Sequence, residues 1–270
     1  MGYHATIRGF TRGAAHNELG LQAVELVGAA DGDFDGVTDE LTVGDMTALT
    51  IYMAALERPV SPLELANLGL MELDADARTA IEAGEAQFAA TGCASCHVPS
   101  MPLNDTVFSE PSQVAGFYDE TFPDGSAPGA HGLAHVTAIS FDLAGDQPNN
   151  QIETANGDIR HLGALEVDAR GKATARWFTD FKRHDMGAEL SDPDDPLGLG
   201  ASMFLTRSLA GVAVTGPWLH DGRATTLDEA ITMHGGAAAE SAARYAALDA
   251  DAQADLIAFL GSLVMYKAAE

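Results

Sequence analysis

Basic residues, cysteines and long apolar runs are all scarce in this chain. Fourteen Lys and Arg stand against 40 Asp and Glu in 270 residues, a formal net charge of −26. A nucleic-acid ligand needs a dense Lys/Arg face to displace counterions, and an anionic membrane surface asks for the same, so the composition argues against both. An acidic surface suits docking to partners with basic patches instead. No stretch approaches the ~18 consecutive apolar residues of a membrane helix. The segment Met1–Arg8 lacks a charged region followed by an apolar core, so no secretory signal is visible in it. The only cysteines are Cys93 and Cys96. Two thiols cannot build a disulfide scaffold, and their spacing of three makes their chemistry local. What is present is ordinary core material, with 46% hydrophobic and 7% aromatic residues, as in a folded globular protein.

Residues 1–30 suggest short helical stretches, followed by a turn-rich acidic loop, Asp31-Gly-Asp33-Phe-Asp35-Gly36-Val-Thr-Asp39-Glu40. Thr42 with Asp45 three residues on is a helix-entry pair, and Met46, Leu49, Ile51, Tyr52, Met53 and Leu56 follow at helical spacings. Pro59 and Pro62 stop that helix and mark the candidate domain boundary, dividing the chain into 1–62 and 63–270. A second helix is expected from about Asp74 to Ala90, where Gly84 permits a close crossing with the final helix. The stretch from 99 to about 175, rich in Gly, Pro, Asn and Asp, reads as irregular with β-like pieces such as 138–141. Thr226 with Glu229 forms a capping box for a short helix closed by Gly235-Gly236, and a last helix is expected over roughly 251–266. The fold expected is mainly α.

Cys93-Ala94-Ser95-Cys96-His97 is a C-x-x-C-H sequence, the attachment signal for c-type haem. Two thiols one helical turn apart can each add across a porphyrin vinyl group, and the adjacent imidazole then lies beneath the ring as the proximal iron ligand. A thioredoxin-like C-x-x-C would need a βαβ context that is missing. A structural zinc site would need His131 and His135 across a long gap. The sixth iron ligand in an electron-transfer haem is commonly Met. Met186 is the leading candidate, because it lies in the polar segment Asp180-Phe-Lys-Arg-His184-Asp-Met186-Gly187 rather than on an apolar helical face. Met101, Met203, Met233, His184 and His220 are the alternatives.

Beyond that motif the chain resembles the bacterial di-haem cytochrome c peroxidase-like proteins, in particular the di-haem oxidoreductase or thiol oxidoreductase branch. The carrying residues are Ile81-x-x-Gly84-x-x-x-Phe88 before the cysteines, 180–187, and Phe204-Leu-Thr-Arg207. They continue with Gly216-Pro-Trp-Leu-His220-Asp-Gly-Arg223-Ala-Thr-Thr-Leu-Asp-Glu-Ala-Ile231, His234-Gly235-Gly236 and Phe259-Leu-Gly-Ser-Leu263. The likeness runs from about 75 to 268 and implies a cytochrome c-like helical haem domain with irregular or β loop insertions. It also supports Met186 as distal ligand. The family carries two C-x-x-C-H sites and this chain has one, so residues 1–62 are expected to be the remnant of a preceding cytochrome-like domain. In relatives the peroxide-binding haem sits in that preceding domain. The resemblance therefore implies a c-type cytochrome with one covalent haem, transferring electrons as the C-terminal part of a di-haem oxidoreductase. The alternative is peroxide reduction by the complete protein. Haem attachment implies an exported, periplasmic location, and the charge implies a redox protein partner with a basic docking patch.

Three secondary expectations complete the reading. Asp31, Asp33, Asp35 and Asp39 occupy positions 1, 3, 5 and 9 of a D-x-D-x-D-G calcium loop, although position 12 is Thr42 rather than the bidentate Glu of an EF-hand. His220 beside Asp221 is a candidate acid/base group, against the plainer reading of a hydrogen-bonded loop histidine. Arg223, with Arg207 as a second, suits a haem propionate.

Overall fold

In a computed structural model, the described residues are 4, 6–56, 58–110, 112, 139–145, 150–153, 156–195 and 198–264. His131 and His135, and the end of the expected last helix at Tyr266, lie outside them. Among the described residues the helices are α1 (Ile7–Leu19), α2 (Val24–Val27), α3 (Val43–Ala54), α4 (Pro62–Asn67), α5 (Ala75–Ala90), α6 (Leu227–Thr232), α7 (Ala239–Ala246) and α8 (Ala250–Gly261). The strands are β1 (Met101–Pro102), β2 (Val107–Glu110), β3 (Ile139–Asp142), β4 (Gln151–Glu153), β5 (Ile159–His161), β6 (Thr174–Ala175), β7 (Arg183–Asp185) and β8 (Met203–Leu205). None of the described helices is long and apolar enough to cross a membrane.

The expectation of a mainly α, cytochrome c-like helical domain is corrected here. Helices make up 40% and strands 13%, and the strands form small antiparallel sheets, so the fold is mixed. The strands pair two by two: β1 with β6, β2 with β3, β4 with β5 and β7 with β8. The cause lies in the Gly-, Pro-, Asn- and Asp-rich middle of the chain. Such residues cannot sustain a helix, yet buried backbone N–H and C=O groups still need partners. Short two-stranded ladders supply them.

Helix starts follow local side-chain chemistry. Thr42 and Asp45 cap α3 reciprocally, and Thr226 and Glu229 do the same for α6. Asp74 caps α5 and Asp249 caps α8, each accepting backbone N–H bonds from the first turn. Pro62 stands in the first turn of α4 behind a Ser61 cap, where its missing N–H costs nothing.

The chain divides into two compact units. One comprises Gly2–Glu57 with Asn104–Asn150. Its α1 packs on α3, and the buried Arg8 guanidinium joins elements far apart in sequence. Arg8 Nε donates to Glu25 Oε2 at 2.9 Å, further bonds reach Glu25 Oε1 and Glu110, and Nη1 donates to Thr47 Oγ1 at 3.1 Å. Arg12 adds a second cation to Glu25 at 3.3 Å. Two buried carboxylates are thus met by two arginines, the condition under which buried charges are tolerated.

The other unit comprises Arg58–Leu103 with Gln151–Glu270. Its core joins Ile81, Phe88, Phe178, Tyr245, Leu256, Phe259, Leu260 and Leu263. Helices α5 and α8 cross at Gly84, where a Cβ would stand 2.0 Å from the Asp255 carbonyl oxygen and 2.7 Å from Phe259 Cβ. Only a residue without a side chain allows that approach. Phe88, Phe178 and Phe259 meet edge-on or tilted, with ring centroids 5.3–6.1 Å apart. Tyr245 donates to Asp228 Oδ1 at 2.7 Å and ties α7 to α6.

Candidate cofactor site

Helix α5 ends at Ala90, and Cys93–Ser95 form a single 3-10 turn. The amides of Cys96 and His97 both return to the Cys93 carbonyl, at 3.3 and 3.0 Å, so both thiols and the imidazole belong to one turn of chain. Both cysteines are free and half-buried. Burial pushes the Cys93 thiol above its ordinary pKa, opposed by the Thr91 hydroxyl 3.4 Å away. Burial thus favours the protonated form of the Cys93 thiol, the form that adds to an alkene.

His97 is fixed by a residue distant in sequence. The segment after the motif pairs with 178–179: Phe178 N–H donates to the Pro99 carbonyl at 3.4 Å and Thr179 N–H to the Val98 carbonyl at 3.0 Å. Thr179, fully buried, locks this segment by donating its hydroxyl to the Thr206 carbonyl at 2.7 Å. The Phe178 carbonyl consequently lies 3.1 Å from His97 Nδ1. A carbonyl only accepts, so Nδ1 carries the proton and Nε2 of the neutral ring carries the lone pair. Desolvation lowers the His97 pKa to about 4, partly offset by the Phe178 carbonyl, Asp180 and the Arg207 backbone, so the ring is neutral at physiological pH. Phe88 borders it at a centroid distance of 6.4 Å.

A second imidazole shares this neighbourhood. His234 follows α6, and its Nδ1 donates to the Ala230 carbonyl at 2.6 Å. Its ring centroid lies 6.5 Å from that of His97. Behind it, Gly235 and Gly236 press on the chain at 185–187. A Cβ on Gly236 would stand 2.2 Å from the Asp185 carbonyl oxygen, and one on Gly235 would stand 2.8 Å from that of Met186. Met186 directly follows β7, its N–H donating to the Ser202 carbonyl at 2.8 Å.

The remaining candidates are distributed as follows. His220 is exposed and stacks on Phe204 with centroids 4.6 Å apart. Arg223 is exposed and already engaged, donating from Nε to Asp221 at 2.7 Å and from Nη1 to the Glu189 carbonyl at 2.7 Å. His184 Nε2 is 2.8 Å from Asp180 Oδ2. Met101 and Met203 lie in strands, and Met233 closes α6. A cavity of about 200 Å³ opens on Ile81, Phe178 and Phe259 and is lined by neither the thiols nor His97. In the other unit, the carboxylate oxygens of Asp31, Asp33 and Asp35 lie within 4.8 Å of one another, a group that does not include Asp39. Asp31 Oδ1 is buried there without a hydrogen-bond partner, while Oδ2 accepts from Gly36 N–H at 3.1 Å.

The site therefore joins the predicted Cys93, Cys96 and His97 to two groups that motif reading missed, the Phe178 carbonyl and His234. The signal available for His234 was the dipeptide of glycines after it, which announces close backbone packing. Two free thiols, an imidazole lone pair on Nε2 and an adjoining aromatic wall are a donor set that fits a covalently attached haem.

Residues 131–263 match the family model described as "Di-haem oxidoreductase, putative peroxidase". The matched region contains Met186, His220, Arg223 and His234, and the C-x-x-C-H turn precedes it. No curated protein and no solved structure matched the chain.

Proposed function

From the match of residues 131–263 to the di-haem oxidoreductase family model, we propose that this chain is the electron-transferring haem part of such an oxidoreductase. One c-type haem is attached through Cys93 and Cys96 and coordinated by His97. The observation that carries this reading is the tautomer of His97: Nδ1 is committed to the Phe178 carbonyl, beside two free thiols on the same turn. Cys93 and Cys96 would hold the haem as thioethers, each S–H adding across a vinyl C=C with its proton going to the neighbouring carbon, so that no net oxidant would be needed. The bound haem supplies a one-electron iron couple.

The protein's own groups do the rest. The low pKa of His97 keeps protons from competing with the metal for Nε2. The carbonyl behind Nδ1 holds the ring in orientation and raises its donor strength. Phe88 and Phe178 limit water on that side, which strengthens every local electrostatic effect on the iron couple. Met186 and His234 are the two side chains that would be candidates for a second ligand to the iron. The surplus of acidic residues favours docking to a redox protein with a basic patch, an attraction that salt weakens. Covalent haem attachment would favour an exported, periplasmic location. Asp31, Asp33 and Asp35 are assigned to calcium, a hard cation that takes carboxylate oxygens. The buried, unpartnered Asp31 Oδ1 supports that assignment.

Peroxide reduction by the complete protein is the second reading, favoured by the family's own description. His220 is then the candidate acid/base group. The test is expression with a cytochrome c maturation system, followed by denaturing electrophoresis with haem staining and an optical spectrum. One covalent haem per chain with a low-spin spectrum unaffected by peroxide is expected. A high-spin, peroxide-reactive fraction would favour the enzyme, and the lack of covalent haem would overturn both.

A further inference from the structure

We infer that His234 is the second axial ligand of the iron held by His97, giving a bis-histidine centre rather than the histidine–methionine pair expected from the sequence. This rests on the covalent haem proposed above. The first argument is distance. With metal–imidazole bonds of about 2.0 Å, and about 1.1 Å from the ligating nitrogen to the ring centre, two imidazoles on opposite sides of one metal have centroids roughly 6.2 Å apart. The observed separation of His97 and His234 is 6.5 Å.

The second argument is the tautomer. His97 Nδ1 is tied to the Phe178 carbonyl and His234 Nδ1 to the Ala230 carbonyl. A carbonyl only accepts, so each Nδ1 carries its proton and Nε2 is the nitrogen left to ligate. A backbone carbonyl on the other nitrogen is also the usual support of a ligating histidine.

The third argument is how His234 is held. Its Ala230 acceptor belongs to α6, the helix opened by the Thr226–Glu229 capping box. The two glycines after it abut the backbone of Asp185 and Met186, where any side chain would collide. This fixes the chain directly beyond the ring. The two imidazoles weighed from the sequence are placed differently, since His184 Nε2 is engaged by Asp180 and His220 is exposed against Phe204. The consequence is a lower reduction potential than a methionine-ligated centre would have, because a thioether ligand raises it.

The test compares the wild type with His234→Ala, His234→Met and Met186→Ala, all produced as covalent haem proteins. Absorption, electron paramagnetic resonance and potentiometry are the readouts. The wild-type ferric protein should be low-spin without the long-wavelength thioether-to-iron band. His234→Ala should become high-spin and return to low-spin on adding imidazole. His234→Met should acquire the thioether band and a raised potential, which decides the matter if the alanine variant folds poorly. Met186→Ala should leave the spectrum unchanged. A thioether band in the wild type that disappears in Met186→Ala, with His234→Ala still low-spin, would overturn the assignment while leaving covalent haem intact. A wild type without covalent haem would instead bring down the reading beneath it.

Discussion

Replacing Gly84 by alanine sets two opposing effects against each other at the α5–α8 crossing. Alanine is the better helix former by about 1 kcal/mol, so in an exposed helix the change would stabilise. Here the added Cβ would stand 2.0 Å from the Asp255 carbonyl oxygen, against an ordinary contact of 3.4 Å or more. The helices would have to separate by about 1.4 Å, since the obstacle is backbone rather than a flexible side chain. Overpacking of this kind costs about 3 kcal/mol, so the net loss is about 2 kcal/mol. For a domain of this size that corresponds to a fall in Tm of about 4–8 °C. The separation also acts on Phe88 and Phe259, the aromatic rings of α5 and α8, of which Phe88 borders His97. Thermal unfolding followed by circular dichroism measures the loss. An unchanged or raised Tm for Gly84→Ala would refute the packing argument outright.

Two further outcomes are expected. Calcium at a hundredfold excess over its Kd should stabilise the protein by about 2.7 kcal/mol, visible as a rise in Tm. The double change Asp33→Asn, Asp35→Asn should abolish that rise, and an equal rise in the variant would place the ion elsewhere. The capping carboxylates give a pH dependence. Hydrogen bonds from Thr42 hold Asp45 below its ordinary 3.8, and those from Thr225 and Thr226 hold Glu229 below its ordinary 4.5. A depressed folded pKa means stabilisation fully present above those ordinary values and lost as pH falls through the lower, folded ones. The stability gap between wild type and Asp45→Asn, Glu229→Gln should therefore be constant near neutrality and close in acid. Denaturant titrations at several pH values check this, and a gap that persists in acid contradicts it.

The parts legible in advance are those whose cause is local. Thr42 with Asp45 and Thr226 with Glu229 cap their helices because a side chain three residues away is already within reach of the orphan N–H. Helix α5 occupies the stretch marked by Asp74 and ended before Gly92. The overall class was misjudged for a related reason. Helical periodicity shows in one segment, whereas a two-residue strand such as β1 exists only because β6, some seventy residues on, pairs with it.

For the site, the same division holds. The amino-acid sequence by itself determined the Cys-x-x-Cys-His turn, because the spacing Cys93, Cys96, His97 places both thiols and an imidazole within one turn of backbone whatever surrounds it. It also determined the close crossing at Gly84, once two helices were present to cross. Tertiary structure alone decided the tautomer of His97, through the Phe178 carbonyl, and the arrival of His234 at 6.5 Å. It likewise decided that Arg8 is buried between Glu25 and Glu110. These contacts join residues from 17 to well over 100 positions apart. No periodicity or capping rule reaches across such distances. They arise only when burial forces each polar group to find a partner among whatever the folded chain has brought near.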